Sequence, residues 1–165
     1  MKKLVTLIIL TFFINSVSAQ KMSPYKIYNA KGKQVSYKKM MKSLAKKDIV
    51  LFGELHNNSI THWLQYEVTA ELHNSRQLIL GAEMMEADNQ DELNSYLKGD
   101  IDAKKLDTVA RLWPNYKTDY APLINFAKDN NLPFVATNIP RRFASKVYKG
   151  GWSALDELTT EEKMW

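Results

Sequence analysis

Cysteine is absent from all 165 residues. The fold therefore holds no disulfide and relies on its core, and a cysteine-based metal cluster or a lipid carried on cysteine is excluded. Histidine is scarce, with three in the chain. His56, His62 and His73 form no His-Glu-x-x-His pattern and lack the helical spacing of a ready-made metal site. A glycine-rich phosphate loop is missing, and Ser59 does not sit in a nucleophile elbow. Zincin, zinc-finger and nucleotide-binding folds lose ground accordingly. Charge of one sign is not in great excess: the net value of +5 is mildly basic and does not by itself point to nucleic acid. No internal repeat or low-complexity segment stands out.

What is present begins with an export signal. Lys2 and Lys3 precede an apolar stretch at 4–14, and Val17-Ser18-Ala19 supplies small residues for cleavage before Gln20. The apolar stretch is too short to span a bilayer comfortably. Residues 1–19 are read as a signal peptide. The mature chain is then soluble, periplasmic or secreted, and not a lipoprotein. It carries a formal charge of +3, since Lys2 and Lys3 are the charged residues removed, and is about one domain in size.

Residues 48–56 organise the remainder. Ile49-Val50-Leu51-Phe52 is a short apolar run of the kind found in strands of a parallel sheet buried on both faces. Gly53 ends it, and Glu54 and His56 follow just past its carboxyl end, where ligands bind in α/β sheets. Before this run, residues 20–47 suggest a small hairpin around the turn at 29–32, then a lysine-rich helix capped by Ser36, its lysines a solvated face.

After it, Asn58 or Ser59 caps a helix to about residue 75, with Ile60, Trp63, Leu64, Val68 and Leu72 at helical spacing toward the sheet. On that pattern His62 and His73 face solvent. A second buried strand at 78–82 ends at Glu83. Short polar helices at 89–98 and 102–109 flank Gly99-Asp100 and suggest a lid over the strand ends. Trp113-Pro114-Asn115-Tyr116 is a ring-rich turn before a helix at 119–130. Pro133 stops that helix, residues 134–137 make a third strand, and Pro140 opens a helix that ends at Gly150-Gly151. Three cycles of strand then helix predict an α/β domain over 48–165, a mostly parallel sheet with flanking helices. Thr159 and Glu162 form a capping box for a helix that has barely begun at Trp165, so the domain reads as truncated at its C-terminus.

Parallel strands present their carboxyl ends on one side, so Glu54, His56, Glu83, Asn138 and Arg141 are predicted to converge on one rim. Such a set could hold a divalent metal or supply a general base, and Arg141 near a helix start suits a carboxylate or phosphate. Each residue also has a structural reading, as a cap or an ion-pair partner.

Four motifs in order carry a resemblance. Phe52-Gly53-Glu54-Leu55-His56-Asn57, Gly81-Ala82-Glu83-Met84, Trp113-Pro114-Asn115-Tyr116 with Tyr120-Ala121-Pro122, and Ala136-Thr137-Asn138-Ile139-Pro140-Arg141 are similar to the ChaN family of haem-binding uptake proteins. That family lies in a broader group with the Tiki, TraB and erythromycin esterase proteins. The resemblance runs from 49 to 165 and implies an exported haem-binding protein of iron acquisition. It implies haem as cofactor, a possible homodimer with paired haems, and outer-membrane haem-uptake components as partners, with no nucleic acid. It also implies tyrosine as iron ligand, for which Tyr120 is the candidate, with Glu54, His56, Asn138 and Arg141 around the cofactor and Arg141 or Arg142 free to hold a propionate. The chain departs from the studied lipoprotein pattern in having no lipidation cysteine. The competing reading from the broader group is a hydrolase in which Glu54 and His56 activate water, with Glu83 as second acid or ligand to a divalent metal. A third is an exported binding or scaffold domain.

Overall fold

The structure is a computed structural model that describes residues 23–165, and the segment read as a signal peptide lies outside them. The chain separates into two units, Met1–Ser36 and Tyr37–Trp165. In the first, β1 (Ile27–Tyr28) and β2 (Gln34–Val35) pair antiparallel. The turn between them is built by the Asn29 side chain, whose Oδ1 accepts from the backbone N–H groups of Lys31 and Lys33 at 3.0 Å each. Gly32 closes it at φ 71°, a conformation glycine adopts without steric cost.

The second unit opens with α1 (Tyr37–Leu44), which buries Met41 and leaves Lys38, Lys39 and Lys42 exposed, the solvated face read from sequence. Helix α2 (Ser59–His73) starts where Asn58 accepts from the Thr61 N–H at 3.0 Å. Met41 packs there with Val68 and Leu72 in a small cluster that also gathers Val50 and Leu78. The main core lies around β3 (Leu80–Glu86) and β4 (Phe134–Asn138), a parallel pair in the register Leu80 to Phe134 and Ala82 to Ala136. An irregularity between Ala82 and Glu86 then brings Glu86 opposite Asn138.

One face of this pair is covered by α3 (Gln90–Lys98), α4 (Ala103–Val109) and α5 (Ala121–Asp129). Gly99 ends α3 in the left-handed region, and Asp102 caps α4 by accepting from the Lys105 N–H. Leu93, Leu106 and Ile124 are fully buried, and the Tyr96 hydroxyl donates to Asn125 Oδ1 at 2.7 Å. The short polar helices predicted as a lid are thus part of the core, because each carries a buried leucine on its inner face. Helix α6 (Arg141–Gly150) begins after Pro140 and ends at Gly151, φ 71°. The capping box at the chain end forms reciprocally: Thr159 N–H donates to Glu162 Oε2 at 3.0 Å and Glu162 N–H to Thr159 Oγ1 at 3.2 Å.

The architecture is α/β with a parallel pair flanked by helices. It departs from the predicted one at residues 49–52, which form no strand. Among the described residues, their backbone bonds to no neighbouring strand. Ile49 and Leu51 are 78% and 92% exposed. An apolar run becomes a strand only when an edge accepts its N–H and C=O groups, and here none lies in register with it. Leu51→Asp is therefore expected to change the unfolding free energy by no more than about 0.5 kcal/mol, while raising solubility. A loss above about 2 kcal/mol in urea titration would put Leu51 in a packed core instead.

Candidate functional site

The uncovered face of β3 and β4 presents Ile79, Gly81, Glu83, Val135 and Thr137, all exposed. Between it and residues 50–54 lies a cavity of about 800 Å³, within the range of small-molecule and cofactor sites. Val50, Leu51, Phe52 and residues 78–84 line it, with Trp113 beside His56 and Tyr120 beside Glu54. A Cβ at Gly81 would meet Thr137 Cγ2 at 2.9 Å, so this residue allows the two strands their close approach on the cavity side. Lys47, Arg76, Glu54 and His56 all border the cavity.

Glu54 is the hub. Its Oε1 accepts from the Tyr120 hydroxyl at 2.5 Å and from His56 Nδ1 at 3.0 Å. Its Oε2 lies 3.0 Å from His62 Nδ1, which is also 3.2 Å from Gln65 Oε1. That oxygen has no well-directed hydrogen bond, so the His62 contact is chiefly one of proximity and charge. Burial pushes the Glu54 carboxyl up, but hydrogen bonds from Tyr120 and His56, with His62 and Gln65 nearby, outweigh it and hold the group below the usual carboxylate range. Tyr120 moves the other way. Burial, then the hydrogen bond to Glu54 and the Glu54 charge, push its phenol well above the ordinary value.

Local structure explains how these groups meet. His62 is buried on α2, and its Nε2 lies 3.2 Å from the His56 carbonyl. Asn115 Nδ2 donates to the same carbonyl at 2.7 Å and to Asp119 Oδ2 at 2.8 Å. Tyr120 ends a π-helical turn, Tyr116–Tyr120, that runs into α5 and turns its hydroxyl inward. Trp113 meets the rings of both His56 and Tyr120 edge-on, at 4.8 and 5.6 Å between centroids.

Of the predicted rim, Glu54, His56 and Glu83 share this cavity, and so does Tyr120, the candidate iron ligand. Asn138 and Arg141, at the end of β4 and the start of α6, do not line it. The Arg141 backbone N–H donates to Glu86 Oε2 at 2.8 Å, and Arg142 pairs with Asp88 at 2.5 Å. The cations that do reach the cavity are Lys47 and Arg76, which the sequence reading passed over. The Arg76 guanidinium is held by the carbonyls of Ala45 and Lys47, at 2.6 and 2.8 Å. His62 was also missed, since the helical pattern places it toward solvent while the structure leaves it 7% exposed.

The donor set suits haem. The cavity is lined by apolar side chains, by two cations, and by an imidazole whose Nε2 has no hydrogen-bond partner among the described residues. Tyr120 offers its oxygen less readily, because that hydroxyl is already a donor to Glu54. Among the described residues, no group of three or more His, Asp or Glu side chains is arranged to hold a metal ion. No described helix is long and apolar enough to cross a membrane.

Two individual proteins compare with this chain. ChaN of Campylobacter jejuni, solved in a structure titled for its cofacial heme binding, superposes with a TM-score of 0.62 at 22% identity, over 76% of this chain and 52% of that one. The Arabidopsis thaliana protein RETICULATA-RELATED 5, chloroplastic, is 28% identical over 95 residues, which are 57% of this chain and 13% of the plant protein. The chain thus spans about half the length of the solved relative and a smaller share of the plant one. The model of the family described as haem-binding uptake, Tiki superfamily, ChaN matches residues 40–165, and the chain belongs to that family.

Proposed function

We propose that this protein binds haem in the cavity between residues 50–54 and the open face of β3 and β4, as an exported component of haem or iron acquisition. The observation that carries the reading is the composition of that one cavity: apolar side chains, an imidazole held by Glu54, and the cations Lys47 and Arg76 at its border. In this reading residues 78–82 and 50–52 exclude water from the porphyrin faces. Lys47 and Arg76 hold propionates, which are anions that need paired or hydrogen-bonded partners when desolvated. Bound haem supplies an iron centre whose ligation the chain controls. The motif at residues 1–19 supports export to the periplasm or beyond, and the bare apolar groups around the cavity suit a homodimer or outer-membrane uptake partners.

The hydrolytic reading is less well supported by the geometry, because Glu54 already accepts two hydrogen bonds on the oxygen nearest His56. Hemin titration of the full chain tests the proposal. A Soret band that shifts and saturates at a defined stoichiometry is expected, and a linear, unsaturable rise would overturn it.

A further inference from the structure

We propose that the lysine face of α1, together with the exposed apolar residues that follow it, docks on the surface of an anionic lipid bilayer. The inference goes beyond the haem reading and does not depend on it, since Lys38, Lys42, Lys46 and Ile49 do not line the cavity.

It follows from charge and apolar surface laid side by side. At about 100° per residue, Lys38, Lys39 and Lys42 fall on one side of α1. Met40, Met41 and Leu44 fall on the other, where they pack with Val68 and Leu72. Lys46 and Lys47 continue the basic run in the turn after the helix, so residues 37–53 hold five lysines against one acid, Asp48. Lys38, Lys42 and Lys46 are exposed and make no ion pair among the described residues. Ile49 and Leu51 follow directly, and both are exposed. Arg76 fixes this junction by donating to the carbonyls of Ala45 and Lys47, and Ile79, three residues further along, is exposed as well. Leu51 and Ile79 line one cavity with Lys47 and Arg76, so the apolar residues and the cations share one region of the surface.

Lysines alone are satisfied by water. Exposed isoleucine and leucine beside them are not, because apolar side chains gain by leaving water, and apolar patches rimmed by polar residues mark interaction surfaces. An anionic bilayer takes both kinds of group. Each ammonium near the headgroup phosphates contributes about fivefold in affinity, and the aliphatic side chains enter the boundary between headgroups and acyl chains. A nucleic acid would match the lysines but offer nothing to Ile49 and Leu51.

Flotation of the full chain with phosphatidylglycerol vesicles tests this, with phosphatidylcholine vesicles as the baseline for any contribution from the apolar stretch at 4–14. A preference for the anionic vesicles is expected. It should fall steeply between about 0.1 M salt, where the screening length is about 10 Å, and about 1 M, where it is about 3 Å. Lys42→Glu with Lys46→Glu should weaken binding at least about twentyfold, and Lys42→Gln with Lys46→Gln by less. Ile49→Asp should weaken it at least about fivefold. Lys104→Glu with Lys105→Glu, at the exposed start of α4, should stay within about twofold of the unaltered chain. Circular dichroism checks that each variant is folded. Equal binding to both vesicle types overturns the proposal. So does an equal loss in the α4 variant, which would reduce the effect to net charge, or full binding in Ile49→Asp, which would take the apolar residues out of contact. A chain that DNA retains through the same lysines while vesicles do not would overturn it in favour of a nucleic-acid surface.

Discussion

Ile124→Ala is expected to lower the unfolding free energy by about 3 kcal/mol, within the range of roughly 2–5 for such changes in a packed core. Ile124 is fully buried on α5, in the cluster that holds Met84, Leu93 and Leu106 against the β3–β4 pair. Alanine removes three carbons, and helices on both sides of the gap are anchored by other contacts, so the void closes only in part. Urea unfolding should show a midpoint lower by about 1–3 M, taking a slope of about 1–3 kcal/mol per M, with that slope unchanged. A loss below about 1 kcal/mol would mean that α5 is loosely seated. Leu51→Asp and Ile124→Ala alter two aliphatic residues of one unit, and burial alone gives them opposite expectations. Because α5 starts immediately after Tyr120, a looser helix should also blunt the hydrogen bond to Glu54. Hemin affinity would then fall as well.

Much of this fold is legible because its punctuation is local. Asn29, Asn58, Gly99, Asp102, Gly151 and Thr159 each act within four residues of their own position, and sequence spacing is enough to find them. What was not legible depends on partners distant in sequence. The run at 49–52 has the composition of a strand, but strand formation belongs to a pair, and no ladder forms with it. On α2 the apolar pattern points to Ile60 and Trp63, yet these are 37% and 45% exposed while His62 is buried. One residue of rotation is about 100°, and Glu54, brought in from the preceding loop, favours the imidazole on the inner side. The site itself divides the same way. Glu54, His56 and Glu83 follow apolar runs, a signal that sequence carries, and they share one cavity. Arg76 lies in a polar stretch after α2 with nothing in its neighbours to mark it. Arg141 follows β4 as expected, but its N–H is committed to Glu86.

Glu86 is the acid the sequence did not single out, since β3 runs three residues beyond Glu83. Its side chain is 9% exposed. Oε2 accepts from Arg111 Nε at 3.1 Å and from the Arg141 backbone N–H at 2.8 Å. Arg111 also pairs with Asp88, which holds Arg142 in turn, and its N–H donates to Asn89 Oδ1 at 3.1 Å. The carboxylate thus ties the end of β3 to the segment after α4 and to the first turn of α6. Glu86→Ala should cost about 2–3 kcal/mol. Hydrogen bonds to a charged group contribute about 1.5–3 kcal/mol, and a negative charge at a helix N-terminus adds about 0.3–1. The sum is reduced because Arg111 is half exposed, so solvent screens it, and it keeps Asp88 as a partner. Glu86→Gln separates shape from charge. Its amide oxygen can still accept from Arg141 N–H, so about half the loss should return at low salt. The gap between glutamate and glutamine should narrow as salt rises, since an ion pair with a half-exposed partner is screened more than a neutral hydrogen bond. If glutamine and alanine unfold at the same urea concentration at every ionic strength, Glu86 does not hold α6 through an acceptor at all, and the anchor of that helix must be Asp88 with Arg142.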